Sequence, residues 1–135
     1  IATSHIAGYS FDGKLAAVKM MYAAACKFFG QALKWTPEKS LTKPRVERIV
    51  VSETGDSREE TLRKIIKKSY DIEFDDRSLR GITAVPVNGV RSYFARLRAE
   101  YGVRREFYNT TIELPAALAS MEVVLKSLGF RVVNL

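Results

Sequence analysis

The sequence has one cysteine, Cys26, and one histidine, His5, among its 135 residues. A lone cysteine excludes an internal disulfide, and its apolar setting reads as a buried structural thiol in a reducing, intracellular compartment. One His and one Cys cannot assemble the usual zinc ligand sets, and a catalytic triad on His5 has no evident partners. The glycines never fall into a G-x-G-x-x-G or Walker-type spacing, so no phosphate-cradling loop is present. Long apolar runs are missing too. Leu15–Leu33 comes closest, and Lys19 and Lys27 within it, with Lys14 and Lys34 at its ends, exclude a membrane span. The sequence begins at Ile1 without a signal-peptide pattern, which reads as processing or as a piece of a longer chain. Nothing calls for a metal or a cofactor.

Acidic residues are also in deficit: 15 Asp and Glu stand against 22 Lys and Arg, a net charge of +7. That balance favours an anionic partner. The hydrophobic fraction of 47% is that of an ordinary globular chain rather than a disordered one.

Residues 1–13 are small and polar and read as a flexible N-terminal arm, with residues 14–135 as a single domain. A helix is expected over 14–34. Its lysines share a narrow sector, while Val18, Met21, Tyr22, Cys26, Phe28, Phe29 and Leu33 spread widely. So broad an apolar arc suits either a central helix or an interface, with Met21 and Phe28 as oligomer contacts. Residues 37–44 form a basic connector. Arg45–Ser52 alternates as a strand, and Glu53–Asp56 is a turn. Ser57-x-x-Glu60 is a capping box opening a helix that buries Leu62, Ile65 and Ile66. Its outer face pairs Glu59 with Arg63 and Glu60 with Lys64. Asp71–Asp76 reads as an acidic loop or short strand pairing with Arg77 and Arg80, and Gly81–Val87 as a strand ended by Pro86.

Val90, Tyr93, Phe94, Leu97 and Tyr101 fall at helical spacing, so 90–101 is read as a helix despite the hairpin signal of Asn88-Gly89. Residues 105–114 alternate again. Pro115 opens a helix with Leu118, Met121, Val124, Leu125 and Leu128 inward, Gly129 stops it, and 130–135 is a last strand. The order implies an α+β fold: a leading helix, then two strand–helix–strand units, with helices on one face of a mostly antiparallel sheet. A ferredoxin-like core is the concrete expectation.

The chemistry-bearing pattern lies between Val90 and Tyr108, where five arginines are interleaved with aromatics. Guanidinium groups pair with phosphate and aromatic faces stack on bases. The sequence therefore points to a non-enzymatic nucleic-acid-binding subunit, for RNA or DNA, in a larger ribonucleoprotein or nucleoprotein assembly. Arg91, Arg98, Arg104 and Arg105 would hold phosphate, supplemented by Lys39, Lys43 and Lys67, with Tyr93 and Tyr101 as stackers. Two other readings stand beside it. One is a self-assembling coat or filament subunit using the 14–34 helix. The other is a metal-dependent nuclease holding Mg²⁺ on Asp71, Glu73, Asp75 and Asp76.

Overall fold

In a computed structural model of the chain, residues 1–52 and 55–135 are described, apart from the side chains of Lys39 and Ser40. The turn read at 53–56 therefore falls partly outside the described residues, and so does the Lys39 side chain.

The fold is α+β, with five α-helices and a small sheet among the described residues. Helix α1 spans Phe11–Phe28. It starts three residues earlier than expected because Ser10 caps it, its hydroxyl oxygen accepting from the Gly13 amide at 3.0 Å. It ends earlier than expected at Gly30, whose φ of +61° is the left-handed conformation that closes a helix. The Gln31 amide then returns to the Cys26 carbonyl at 2.8 Å. Strand β1 is Arg48–Val50 and helix α2 is Arg58–Ser69. Ser57 caps α2 by accepting from the Glu60 amide at 3.2 Å. The Glu60 carboxylate turns to Arg63, and Lys64 pairs with Asp56 rather than Glu60.

Two readings are corrected between α2 and α4. The acidic stretch is not a loop or a strand: it opens helix α3, Ile72–Arg80, with Asp71 capping the Phe74 amide. Asp, Glu and Arg suit the two ends of a short helix, because acids favour its first turn and bases its last. The strand expected at Gly81–Val87 is instead two 3-10 turns, Gly81–Ala84 and Val87–Gly89, divided by Pro86. They lead into α4, Val90–Ala99, which follows the helical spacing rather than the hairpin signal.

A 3-10 turn, Phe107–Asn109, precedes strand β2, Thr111–Leu114. A 3-10 segment, Ala116–Met121, then runs into α5, Glu122–Ser127. Gly129, at φ +99°, ends α5 and lets the Phe130 amide reach the Leu125 carbonyl before strand β3, Arg131–Asn134.

The sheet has the order β1-β2-β3, and both pairings are parallel. The expected antiparallel sheet fails for a physical reason. Parallel neighbours need long crossovers, and here α2–α4 and the α5 segment supply them. With residues 81–87 helical, no strand is left to pair antiparallel there, and the ferredoxin-like arrangement is not what these strands make. The core gathers Ile49 and Val51 with Ile112 and Leu114, covered by Ile65 from α2, Met121 and Leu125 from the α5 segment, and Phe130.

Helix α1 does not join this core. Met21 is 74% exposed and Phe28 82% exposed, with Met20, Phe29 and Leu33 also open. Leu125→Ala should therefore cost about 2–5 kcal/mol of unfolding free energy in urea titration, while Met21→Lys should stay within about 0.5 kcal/mol. A large loss in Met21→Lys would mean that α1 contributes to the core after all.

Candidate functional site

The N-terminal segment meets α3, α4 and residues 101–109, and there the charged and aromatic side chains converge. The Ala2 amide donates to Asp76 at 2.7 Å, Arg104 donates to the Ala7 carbonyl at 3.0 Å, and the Phe11 amide donates to the Arg104 carbonyl at 2.8 Å. Ser4, Ile6 and Ser10 are buried. Between Ser4 and Ile6 lies His5, exposed and at φ +62°. No other non-glycine residue among those described has a positive φ. For an L-residue that conformation costs on the order of 1 kcal/mol, and such strain tends to persist at functional positions.

Asp12, in the first turn of α1, anchors the segment. Its carboxylate accepts from Arg105 Nε and Nη2, both at 2.9 Å, from the Glu106 amide at 2.8 Å and from Asn109 Nδ2 at 3.2 Å. The two charged side chains keep only 4% and 7% of their surface exposed. Burial pushes the Asp12 carboxyl up, but hydrogen bonds from Arg105, Glu106 and Tyr108 and the Arg105 charge outweigh it and hold the group at about 2. Arg105 also donates to the Asn109 side chain at 2.8 Å and to the Thr42 carbonyl.

A second network is built on tyrosine. Tyr70 and Tyr101 both donate to Asp75 Oδ2, at 2.6 and 3.0 Å. Burial first, then the Asp75 carboxylate, raises the Tyr70 hydroxyl well above its ordinary value. Burial likewise raises Tyr101, against an opposing hydrogen bond from Tyr70. Both hydroxyls stay protonated donors at neutral pH. Arg104 lies over the Tyr70 ring, 4.8 Å from its centroid. The Tyr9 ring meets Tyr101 edge-on, with Lys14 Nζ 4.1 Å and Arg98 5.4 Å from its centroid. The Arg98 Nε is buried and unpartnered among the described residues.

Most of the residues read as a phosphate surface are engaged within the chain. Arg105 is spent on Asp12, Arg104 on a backbone carbonyl and a tyrosine face, and Arg98 on Tyr9. Lys67 pairs with Glu73, and Lys43 with Glu47 at 3.0 Å. Tyr93 donates to the Ser78 carbonyl at 2.7 Å and carries Arg96 5.4 Å from its ring centroid, while Tyr101 is tied to Asp75 and meets Tyr9 edge-on. Arg91 alone of the four arginines points openly from α4. The proposed Mg²⁺ cluster also disperses. Asp71 faces Arg77, Glu73 faces Lys67, Asp76 faces Arg80 and Asp75 faces the tyrosines. No group of three potential ligands converges among the described residues. No described helix is long and apolar enough to cross a membrane.

The family profile described as "Domain of unknown function (DUF3410)" matches residues 40–129. The chain belongs to this family. It is also 37% identical over 139 residues to the erythronate-4-phosphate dehydrogenase of Cellvibrio japonicus, covering 98% of this chain and 36% of that protein. The enzymes of the same name from Hahella chejuensis and Marinobacter nauticus are 33% and 29% identical, over 96% and 97% of this chain. The chain spans about a third of the length of the curated relatives it matches. These relatives overturn the non-enzymatic, nucleic-acid-binding reading, together with its ribonucleoprotein or coat assembly, because they are named as dehydrogenases.

Sequence reasoning missed Asp12 and the setting of His5, and it singled out Asp75 for a metal rather than for the two tyrosines. Ser10-x-x-Gly13 was a usable capping signal, since it would have placed Asp12 in a first helical turn. The other two depend on distant contacts and on a backbone angle.

The buried pair makes a pH prediction. Asp12 titrates near 3.8 when unfolded and at about 2 when folded, so its contribution is fully present above pH 4 and is lost as pH falls toward 2. That contribution is about 2 kcal/mol. Asp12→Asn, which strands the Arg105 charge, should cost about 3–5 kcal/mol at pH 7 and flatten the acid limb of a stability-versus-pH curve. An acid limb as steep as the parent's would remove Asp12 from this role.

Proposed function

We propose that this chain is the part of an erythronate-4-phosphate dehydrogenase that carries its proton-transfer residue, His5. The carrying observation is His5 itself: the single histidine, exposed, and held in a strained backbone conformation, in a chain whose relatives bear that name. Oxidising a carbon that bears a hydroxyl sends the hydride to an acceptor and the hydroxyl proton to a base. When the reaction runs in reverse, the same group returns the proton to the carbonyl oxygen. Imidazole is the side chain best matched to both duties near neutral pH.

The positive balance of the chain takes on a different meaning under this reading. A phosphorylated sugar acid is strongly anionic, and a net charge of +7 favours its approach. Lys14 and Arg98 flank Tyr9, four residues beyond His5, and neither is in an ion pair among the described residues. The residues here do not fit a dinucleotide hydride acceptor, because the sequence lacks the glycine spacing that lets backbone approach a pyrophosphate. Binding of the acceptor is therefore assigned to the remainder of the relatives' length. The exposed apolar side of α1 supports packing against that remainder.

The test is a chimera in which this chain replaces the matched third of the Cellvibrio japonicus enzyme. It should oxidise erythronate 4-phosphate. His5→Asn, which tolerates the left-handed backbone, should lower kcat by about 10²–10⁴-fold with little change in KM. A well-folded chimera without activity would sink the assignment of the chain. A drop below about tenfold in His5→Asn would remove His5 from proton transfer and leave the rest standing.

A further inference from the structure

Asp75 is 8% exposed, yet no cation pairs with it among the described residues. Its two donors, Tyr70 and Tyr101, both use Oδ2, and Oδ1 takes no hydrogen bond among the described residues. Oδ1 is not sealed from solvent, so in this otherwise enclosed setting it is an acceptor open to a ligand's donor. Asp75 lines a cavity of about 540 Å³ bounded also by Ser4, Arg45, Tyr70, Tyr101 and Arg104. Arg104 has no carboxylate partner among the described residues either. It uses Nη2 on the Ala7 carbonyl and lays its guanidinium over Tyr70. The same tyrosine thus touches both uncompensated charges, its hydroxyl on Asp75 and its ring beneath Arg104.

We infer that this cavity binds a small zwitterion, with its ammonium group on Asp75 Oδ1 and its phosphate or carboxylate on Arg104. The tyrosine hydroxyls, already donating to Asp75, keep oxygen lone pairs that can accept from the same ammonium. Arg45, at the cavity wall, adds to the anionic end. A ligand carrying negative charge alone fits poorly, because Asp71, Asp75 and Glu100 also border the space and would repel it. The inference uses no part of His5 and stands whether or not the dehydrogenase reading does.

The experiment is calorimetric titration of this chain with phosphoethanolamine and β-alanine, against ethanolamine and inorganic phosphate. At least one zwitterion should bind about tenfold more tightly than either single-charge probe, and the tighter of the two identifies the anionic end. Asp75→Asn should reduce the zwitterion to the affinity of its anionic part alone. Because Asp75→Asn disturbs the tyrosines, Val103→Trp provides a second variant. Val103 borders the cavity while 57% exposed, so a larger side chain should close the space without unfolding the chain. Binding of ethanolamine or phosphate as tight as that of the tighter zwitterion would overturn the inference. So would zwitterion affinity unchanged in Val103→Trp, or no heat with any probe at millimolar concentration.

Discussion

The contact between Asp12 and Arg105 is the constraint on which the arrangement around the N-terminal segment depends. It joins residues 93 positions apart through two parallel hydrogen bonds in a nearly dry setting. Two-pronged pairing fixes orientation as well as distance, so the first turn of α1 is locked against residues 105–109. From there the order propagates both ways. The Phe11 amide reaches the Arg104 carbonyl, and Arg104 reaches back to Ala7. Thr110, just beyond, is buried and donates to the Val46 carbonyl as β2 begins beside β1. The pair thus ties a segment with little apolar surface of its own to the one sheet that has a core.

The sequence carried the local rules and lost the long-range ones. Ser57 and Gly129 acted as the cap and stop their types predict, and Leu125 and Ile65 faced inward as their periodicity required. The 81–87 error came from a run of β-branched residues whose propensity was overruled by a proline and a crossover that needed no strand. The sheet's direction was not legible, because a strand's alternation is identical in parallel and antiparallel pairing. What separates the two is the connection, and the strand read at 81–87 broke the long helical crossover between β1 and β2 into shorter links.

The candidate site was misread for a related reason. An arginine among aromatics has the same sequence pattern whether it awaits phosphate or lies folded on a tyrosine. Here Arg98 and Arg104 use the faces of Tyr9 and Tyr70, contacts worth about 0.5–2 kcal/mol that a sequence does not display. Arg105 finds its carboxylate far away in the chain. Charge composition favours anionic partners in general, but it does not choose between a polymer of phosphates and a single phosphorylated acid. The relatives are named for a reaction on a phosphorylated sugar acid, which is the reading proposed above.

The strain at His5 follows from this architecture. A left-handed residue relaxes unless its neighbours are held on both sides. Ser4 and Ile6 are buried, Ala2 is held by Asp76, and Ala7 by Arg104. A residue in extended backbone between two inward-facing neighbours would already point outward, so burial alone does not demand a positive φ. Just beyond His5, the Tyr9 amide closes onto the Ile6 carbonyl at 3.0 Å in a turn over residues 6–9, and the Tyr9 ring meets Tyr101 edge-on. The single histidine therefore stands at an angle held from both sides, four residues before Tyr9 and the two cations on its ring.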